Sequence, residues 1–456
     1  MNIYIHFEIL VREFDSKLLL ALLAASKGHD VIISDISGIE KGLKTGFLKP
    51  GIFHTKSLTP TKKKLNRHKK LFDKGFVISS IDEEAGIDIK GYEQFSKTRY
   101  SEKMIELASI IFAWGIDDYE VLRRKYPKYK KKFFKTGSPR VDMWKPLFSD
   151  FWKSLVKVPK KPYLLISSNM GWANNEKSFY KLVQQSKNAG YYIRDSNLIK
   201  EHFGRTSEHY LTTASFIRAI KYLSKYNNGY DIVLRPHPSE SIEAWKLYLE
   251  DIPNVHVIRE DSISAWVNNA FAVMHNGCTT AIETTISNKP LLTYIPFKQN
   301  YSDNLPNELG NIIKSPQELL KKANKLFNSK IKNNQKEKNF TVPNFISDKI
   351  LIDEKELAAE KIVKIWEKFA NDRLSESSNL LAFKLYLKIN NIKQTMFKLI
   401  KKIFLKENIS TENQKIPPLK RKKIINRIDR IKKILFIEDK FECKMLSNRT
   451  ILIKKI

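Results

Sequence analysis

Tyr230-Asp231-Ile232-Val233-Leu234-Arg235-Pro236-His237-Pro238-Ser239 is the stretch from which the fold is read. A short apolar run stops abruptly in a polar turn held by two prolines. Such a run suits a strand covered on both faces, as in a parallel sheet. The turn then lies at the strand's carboxyl end, where open α/β sheets bind ligands. Working outward, the same unit recurs. Tyr163–Ser167 opens into Ser168-Asn169-Met170-Gly171-Trp172-Ala173-Asn174-Asn175, and Phe271–Met274 into His275-Asn276-Gly277-Cys278-Thr279-Thr280. Val255–Ile258 and Leu291–Tyr294 are further strands. Helical patterns occupy Ala214–Lys225, Ser262–Asn269 and Ala281–Ser287.

The N-terminal part alternates in the same way. Strand Ile3–Phe7 precedes a helical face of Leu18, Leu19, Leu22 and Leu23, then a turn at Gly28 and strand Val31–Ser34. Phe76–Ile81 runs into Asp82-Glu83-Glu84-Ala85-Gly86. The apolar stretch Ile105–Ala113 follows, and turn chemistry across Lys135–Trp144 closes this half. Two βαβ series in tandem predict an α/β protein with two Rossmann-like domains facing a cleft, at residues 1–150 and 151–330. Residues 331–378 read as a linker and a returning helix at Lys355–Asn371, and 379–456 as a basic, amphipathic, mainly helical tail. No G-x-G-x-x-G loop is present, which argues against a nicotinamide enzyme.

The 456 residues carry 81 Lys+Arg against 49 Asp+Glu, a formal charge of +32. That excess predicts an anionic partner: nucleic acid, an acidic membrane face or a phosphorylated substrate. Residues 381–456 hold 21 Lys+Arg and 6 Asp+Glu, so the tail carries +15 of it. The apolar stretches fall well short of the ~18 residues a spanning helix needs. The N-terminus lacks the basic segment of a signal peptide. The two cysteines, Cys278 and Cys443, form neither a disulfide framework nor a metal-ligand spacing. A cytoplasmic protein, peripheral at most on the inner membrane face, is the expectation. The sequence shows no aromatic RNA-binding signature, helix-turn-helix cue or zinc pattern, so no specific nucleic acid is expected.

Three constellations carry candidate chemistry. In Arg235-Pro236-His237-Pro238-Ser239, the prolines aim an imidazole that could donate to a phosphate, and Arg235 offers a planar fork for it. The alternative is a rigid turn with a structurally bonded His. In the second, Asn276, Gly277, Thr279 and Thr280 lead a strand into a helix, an arrangement suited to phosphate. Glu283, one turn on, could take a ribose hydroxyl; the alternative is a plain capping box of Thr280 and Glu283. Cys278 reads as a small packed residue. The third, Asp82, Glu83 and Glu84, crowds three carboxylates at a strand end and could supply a base or nucleophile; the alternative is a solvated acidic loop.

With Glu8 and Arg12, Gly137-Ser138-Pro139-Arg140-Val141-Asp142 and Ser168-Asn169 through Asn174, these motifs resemble the bacterial surface carbohydrate biosynthesis protein family. That family is similar to GT-B glycosyltransferases, including CMP-sugar-dependent sialyl- and Kdo-transferases. The resemblance covers residues 1–300. It implies an N-terminal acceptor domain and a C-terminal nucleotide-sugar domain. It implies that His237 and Pro238 meet the CMP phosphate with Thr279 and Thr280, and that the acidic motif supplies the catalytic carboxylate. Here the motif has an extra acid and an extra Ala. Glu8, Asn169, Asn174 and Arg140 are then candidate substrate-cleft residues. The implied reaction transfers Kdo or another acidic sugar from a CMP-activated donor to a glycan or glycolipid acceptor, without metal or cofactor, in capsule or lipopolysaccharide synthesis. The alternatives are a CDP-polyol phosphotransferase of the teichoic-acid type, a nucleotide-sugar epimerase, or a non-enzymatic scaffold for polyanions or membranes. In the tail, Leu381, Leu385, Ile389, Ile392, Met396, Leu399 and Ile403 form one helical stripe, and Ile424, Ile428, Ile431 and Leu435 a second. Each could lie on anionic lipid or pack on the protein.

Overall fold

The computed structural model describes residues 1–85, 91–188, 192, 197–302, 305–331, 343–405 and 417–456; for 344, 345 and 398–405 it describes the backbone alone. Gly86 and the segment 332–342, part of the expected linker, lie outside the described residues. The chain forms two compact units: Met1–Met143 with Pro343–Ile456, and Trp144–Val342.

The first unit contains strands β1 (Asn2–His6), β2 (Asp30–Ser34), β3 (Ile52–Thr55), β4 (Val77–Ile81), β5 (Ile110–Ala113) and β6 (Phe133–Lys135). The second contains β7 (Tyr163–Ser167), β8 (Asp231–Arg235), β9 (Val255–Val257), β10 (Ala272–His275), β11 (Leu291–Tyr294) and β12 (Asn311–Ile313). The chain then returns to the first unit with β13 (Phe441–Ser447) and β14 (Thr450–Lys455). The first sheet runs β13-β14-β2-β1-β3-β4-β5-β6 and the second β12-β11-β10-β7-β8-β9. β1 to β6 pair in parallel, as do β7 to β12. The direction of winding reverses between β1 and β3 in one sheet, and between β7 and β10 in the other. Those reversals are the switch points where ligands bind.

The first sheet is wider than the sequence pattern implies. The hairpin β13–β14 adds to β2 antiparallel, with Ile451 opposite Ile33 and Ile453 opposite Val31. Ser34 Oγ and Thr450 Oγ1 bond at 2.7 Å. The tail is mainly helical, through Leu380–Leu405 and Arg421–Leu435, but its end completes the sheet. Helix Leu10–Ser26 is buried well beyond the expected single face, with Leu18, Leu19, Leu20 and Leu22 all inaccessible. The reason is that Ala358–Glu367, Arg421–Leu435 and β14 all pack on it. The returning helix Ala358–Glu367 is fixed at its start by Asp142, whose two oxygens accept the Ala358 and Ala359 N–H groups at 3.0 and 2.9 Å. Asp142 thus gives Gly137–Asp142 a structural job.

The second unit's core gathers Leu164, Ile166, Ile232, Leu234, Met274 and Leu292 from the strands, with Phe216, Ile220 and Leu223 from helix Leu198–Tyr226. Tyr230, Phe271 and Phe327 stack around one another with centroids 5.0, 5.2 and 5.6 Å apart. Helix Leu198–Tyr226 is much longer than the expected Ala214–Lys225. Its first half is disguised by Gly204, a poor helix former. A Cβ at Gly204 would lie 2.4 Å from the Tyr301 ring, so the close approach needs glycine. The stretch Ile105–Ala113 divides into helix Glu102–Leu107 and β5.

Candidate functional site

At the switch point of the second unit, the loops after β7, β8 and β10 are bonded into one platform. Asn169 Nδ2 donates to the Gly277 carbonyl at 2.7 Å, joining the first loop to the third. Asn175 Nδ2 donates to the Ser239 carbonyl at 2.8 Å, joining the first to the second. Asn174 is buried, and its carbonyl accepts the Ser241 N–H at 2.8 Å, so it anchors the platform instead of facing solvent. A Cβ at Gly171 would meet Ser239 Oγ at 2.1 Å, so these loops can lie this close only because residue 171 is glycine.

Glu240, absent from the sequence-derived candidates, is the platform's central anchor. It is 1 % exposed. Its carboxylate accepts the Ser168 hydroxyl at 2.9 and 3.0 Å, the Met170 N–H at 3.1 Å, the His237 N–H at 3.2 Å and the Trp245 indole N–H at 2.7 Å. Burial raises its pKa, while these donors favour the anion. The local signal was available: an acid directly before an apolar helix containing Trp.

His237 stands exposed on this platform with Pro238 and Ser239. The Ser239 N–H donates to its Nδ1 at 3.2 Å, and Ser239 Oγ lies 2.7 Å from the same nitrogen. A backbone N–H can only donate, so Nδ1 is an acceptor and the ring proton of neutral His237 sits on Nε2. That assigns the tautomer able to donate to an anion.

Arg235 is used differently from the expectation of a fork on phosphate. It is buried, and its guanidinium donates to the Glu260 carbonyl at 2.6 Å and to the Asp261 carbonyl. Burial pushes its pKa down to about 10, which leaves it cationic at neutral pH. Arg259 braces the same loop by donating to the His237 carbonyl at 3.4 Å and to the Glu240 carbonyl. Arg259 therefore holds the backbone of the His237 loop, while Arg235 braces the turn at Glu260 and Asp261. The expectation missed Arg259.

After β10, Gly277 takes the left-handed φ of +62°. Asn276 is buried in a polar network, donating to the Tyr294 carbonyl at 2.8 Å and accepting from Gln299 at 3.2 Å. Asn307 accepts the Gly277 N–H at 2.7 Å. The expected capping box of Thr280 and Glu283 does not form. Thr280 turns its hydroxyl inward, accepting from Ser167 at 3.1 Å, and the helix starts one residue earlier than expected, with Thr279 preceding it. Glu283, one turn into this helix, is buried at 4 % exposure. Thr279 is exposed on the platform. Cys278 is packed, bonded to Ser167 and Thr280, and burial raises its pKa.

In the first unit, the acids follow β4 and sit beside that unit's switch point. There, Glu8 and Lys56 meet at 2.5 Å. The three carboxylates have distinct surroundings. Asp82 is 1 % exposed and takes a two-pronged bond from Arg99, at 2.8 and 2.7 Å. Burial raises its pKa, against the pull of Arg99. Glu83 is buried against Lys17, and its carbonyl accepts from Arg140 at 2.7 Å. Glu84 keeps 45 % of its side chain exposed, with Arg12 at 3.6 Å and Arg99 at 3.2 Å. Arg140 lies under the acidic turn, 5.8 Å from the Trp114 ring centroid, and does not face outward. Lys17, Lys56, Lys64 and Arg99 were not among the sequence-derived candidates. Lys64 donates to Ser57 at 2.6 Å, and burial with neighbouring cations pushes its pKa down to about 8. Among the described residues, no group of three or more His, Cys, Asp or Glu could hold a metal ion.

No protein-family model and no curated protein matches the chain. Solved structures do. A protein from Listeria monocytogenes assigned as a UDP-N-acetylglucosamine 2-epimerase is 14 % identical, with 82 % of this chain and 98 % of that one covered and a TM-score of 0.50. The UDP-GlcNAc 2-epimerase of Methanocaldococcus jannaschii is 12 % identical, with 80 % and 99 % covered and a TM-score of 0.47. A variant of the wall teichoic acid polymerase TagF is 11 % identical, with 82 % and 90 % covered and a TM-score of 0.47. The Listeria likeness bears on the fold: α/β, with two Rossmann-like units, of the GT-B type.

Proposed function

We propose that the chain is a glycosyltransferase of bacterial surface-polysaccharide synthesis that takes its sugar from a nucleotide-activated donor. The observation that carries this reading is the fixed His237 tautomer on a loop locked by buried Glu240. A phosphate at the β7/β10 switch point would accept hydrogen bonds from Nε2–H of His237 and from the hydroxyl of Thr279, while the Ser239 hydroxyl donates to Nδ1 and holds the ring. The charges of the nearby Arg235 and Arg259 would favour its negative charge. Donors held in place before reaction stabilise charge as it develops on a leaving phosphate oxygen.

Glu84 is the carboxylate we assign to the chemistry. In a single displacement it takes the proton of an acceptor hydroxyl. The acceptor oxygen bonds to the anomeric carbon, and the bond to the donor phosphate breaks, its electron pair leaving on the phosphate oxygen. Asp82 and Glu83 hold the turn in place. Arg12 and Arg99, beside Glu84, suit an anionic acceptor or an acidic sugar such as Kdo.

The resemblance in sequence implies CMP as the leaving nucleotide. The Listeria neighbour's assignment favours a second reading, an epimerase acting on a UDP-sugar. Calorimetric titration with CMP, CDP and UDP separates them: the glycosyltransferase reading expects CMP to bind and His237→Ala to weaken it at least tenfold. Binding of UDP alone would favour the epimerase.

A further inference from the structure

The tail carries two apolar stripes, and the protein treats them differently. Ile424, Ile428 and Ile431 are buried, and Arg427 pairs with Asp15 at 2.7 Å, so helix Arg421–Leu435 is fixed to the first unit. Helix Leu380–Leu405 rests on the same unit through Phe383 and Leu387, 0 % and 2 % exposed. Phe383 packs at Gly42, where an added Cβ would lie 2.9 Å from its ring. Tyr386 meets Phe47 edge-on at 6.1 Å.

The opposite side of that helix is bare. Leu381, Leu385, Ile389, Ile392 and Met396 are 78, 59, 44, 53 and 57 % exposed. At 3.6 residues per turn they fall within about 80° of the circumference, facing away from Phe383. Lys384 and Lys388 border one edge of the row and Lys393 the other. The helix sequence contains no Asp or Glu. Single exposed leucines are ordinary, but a continuous aliphatic row marks an interaction surface. Among the described residues no helix is long and apolar enough to cross a membrane. A row of this kind with a lysine border instead fits the headgroup region of an anionic bilayer, with the helix in its plane. A second copy fits less well, because pairing two such rows would bring lysines together without acids to meet them.

We infer that the face of Leu380–Leu405 formed by Leu381, Leu385, Ile389, Ile392 and Met396 docks on an anionic lipid surface. This surface is separate from the nucleotide platform and does not depend on it.

The test is cosedimentation of the full chain with phosphatidylcholine vesicles, with and without about one third phosphatidylglycerol. Wild type is expected to bind the anionic vesicles, less at high salt, and to leave the neutral ones. The triple variant Leu385→Glu, Ile389→Glu, Ile392→Glu should lose at least ~10-fold in partitioning, with nucleotide binding unchanged. If that variant melts early, Leu385→Ser with Ile389→Ser gives the same comparison. Unchanged binding by the folded variant would overturn the inference, as would equal binding to neutral vesicles or none by wild type. A wild-type dimer that the triple variant dissolves, without lipid binding, would also overturn it by making the row a contact between copies.

Discussion

Asp82, Glu83 and Glu84 are adjacent in sequence, yet each has a different chemistry. Glu83 has its carboxylate against Lys17, with one oxygen buried and unpartnered among the described residues. Asp82 is clasped by Arg99, and only Glu84 remains accessible. Glu84→Gln should therefore lower kcat by about 100-fold or more while nucleotide affinity stays the same, since general base catalysis contributes on that order. Asp82→Asn should act through stability, costing up to about 3 kcal/mol by breaking the buried two-pronged pair and leaving Arg99 only the partly exposed Glu84, measured by urea unfolding. The reverse pattern would move the chemical role to Asp82. The acidic turn was legible in the sequence, but the choice within it was not. That choice depends on Lys17, 66 residues before Glu83, and on Arg99, at the end of the helix after the turn. Lys17 did leave a trace, as a cation directly before the leucine run of helix Leu10–Ser26.

Elements whose borders are marked by local chemistry could be read from the sequence. Tyr163–Ser167 and Leu291–Tyr294 appear with the bounds their composition implies, because turn residues flank each apolar run. β3, β6 and β12 are too short and mixed to stand out. β14 was hidden because its strand pattern sits inside a basic tail whose other signals are helical. Its inclusion makes a prediction. Truncation after residue 439 removes the strand that covers β2 and exposes that strand's unpaired edge. Bare apolar edges associate, so the truncated chain should aggregate in light scattering at concentrations where the full chain does not. A monodisperse truncation would show that the hairpin is dispensable. The platform loops were legible as loops, but Glu240's linking of them was not, since its partners Ser168 and Met170 lie about seventy residues earlier.

For the whole molecule, the buried histidines set a pH dependence. Burial pushes the pKa of His275 down to about 3, and those of His29, His68 and His209 down to about 4. Each stays neutral when folded and titrates near 6.5 when unfolded. At these four sites the unfolded chain binds more protons below pH 6.5, so the stability they contribute above that pH is lost as pH falls towards 4; buried Asp118, raised to about 7, opposes them as a single group. His275, fully buried, adds a slope of up to ~1.4 kcal/mol per pH unit. Urea midpoints should fall steadily from pH 7 to pH 5; a flat profile would contradict these environments.

The +32 charge of the chain also resolves by location. Part lies at the end of β8 as Arg235 and after β9 as Arg259, part surrounds Glu84, and part borders the bare row of the tail. The central claim concerns the first of these. Calorimetry of CMP, CDP and UDP binding to wild type and His237→Ala tests it most directly. The account predicts that wild type binds a nucleotide, with CMP the expected one, and that the variant keeps its fold but binds at least ~10-fold more weakly. Equal affinity in the two proteins, or no nucleotide bound by wild type, would contradict it.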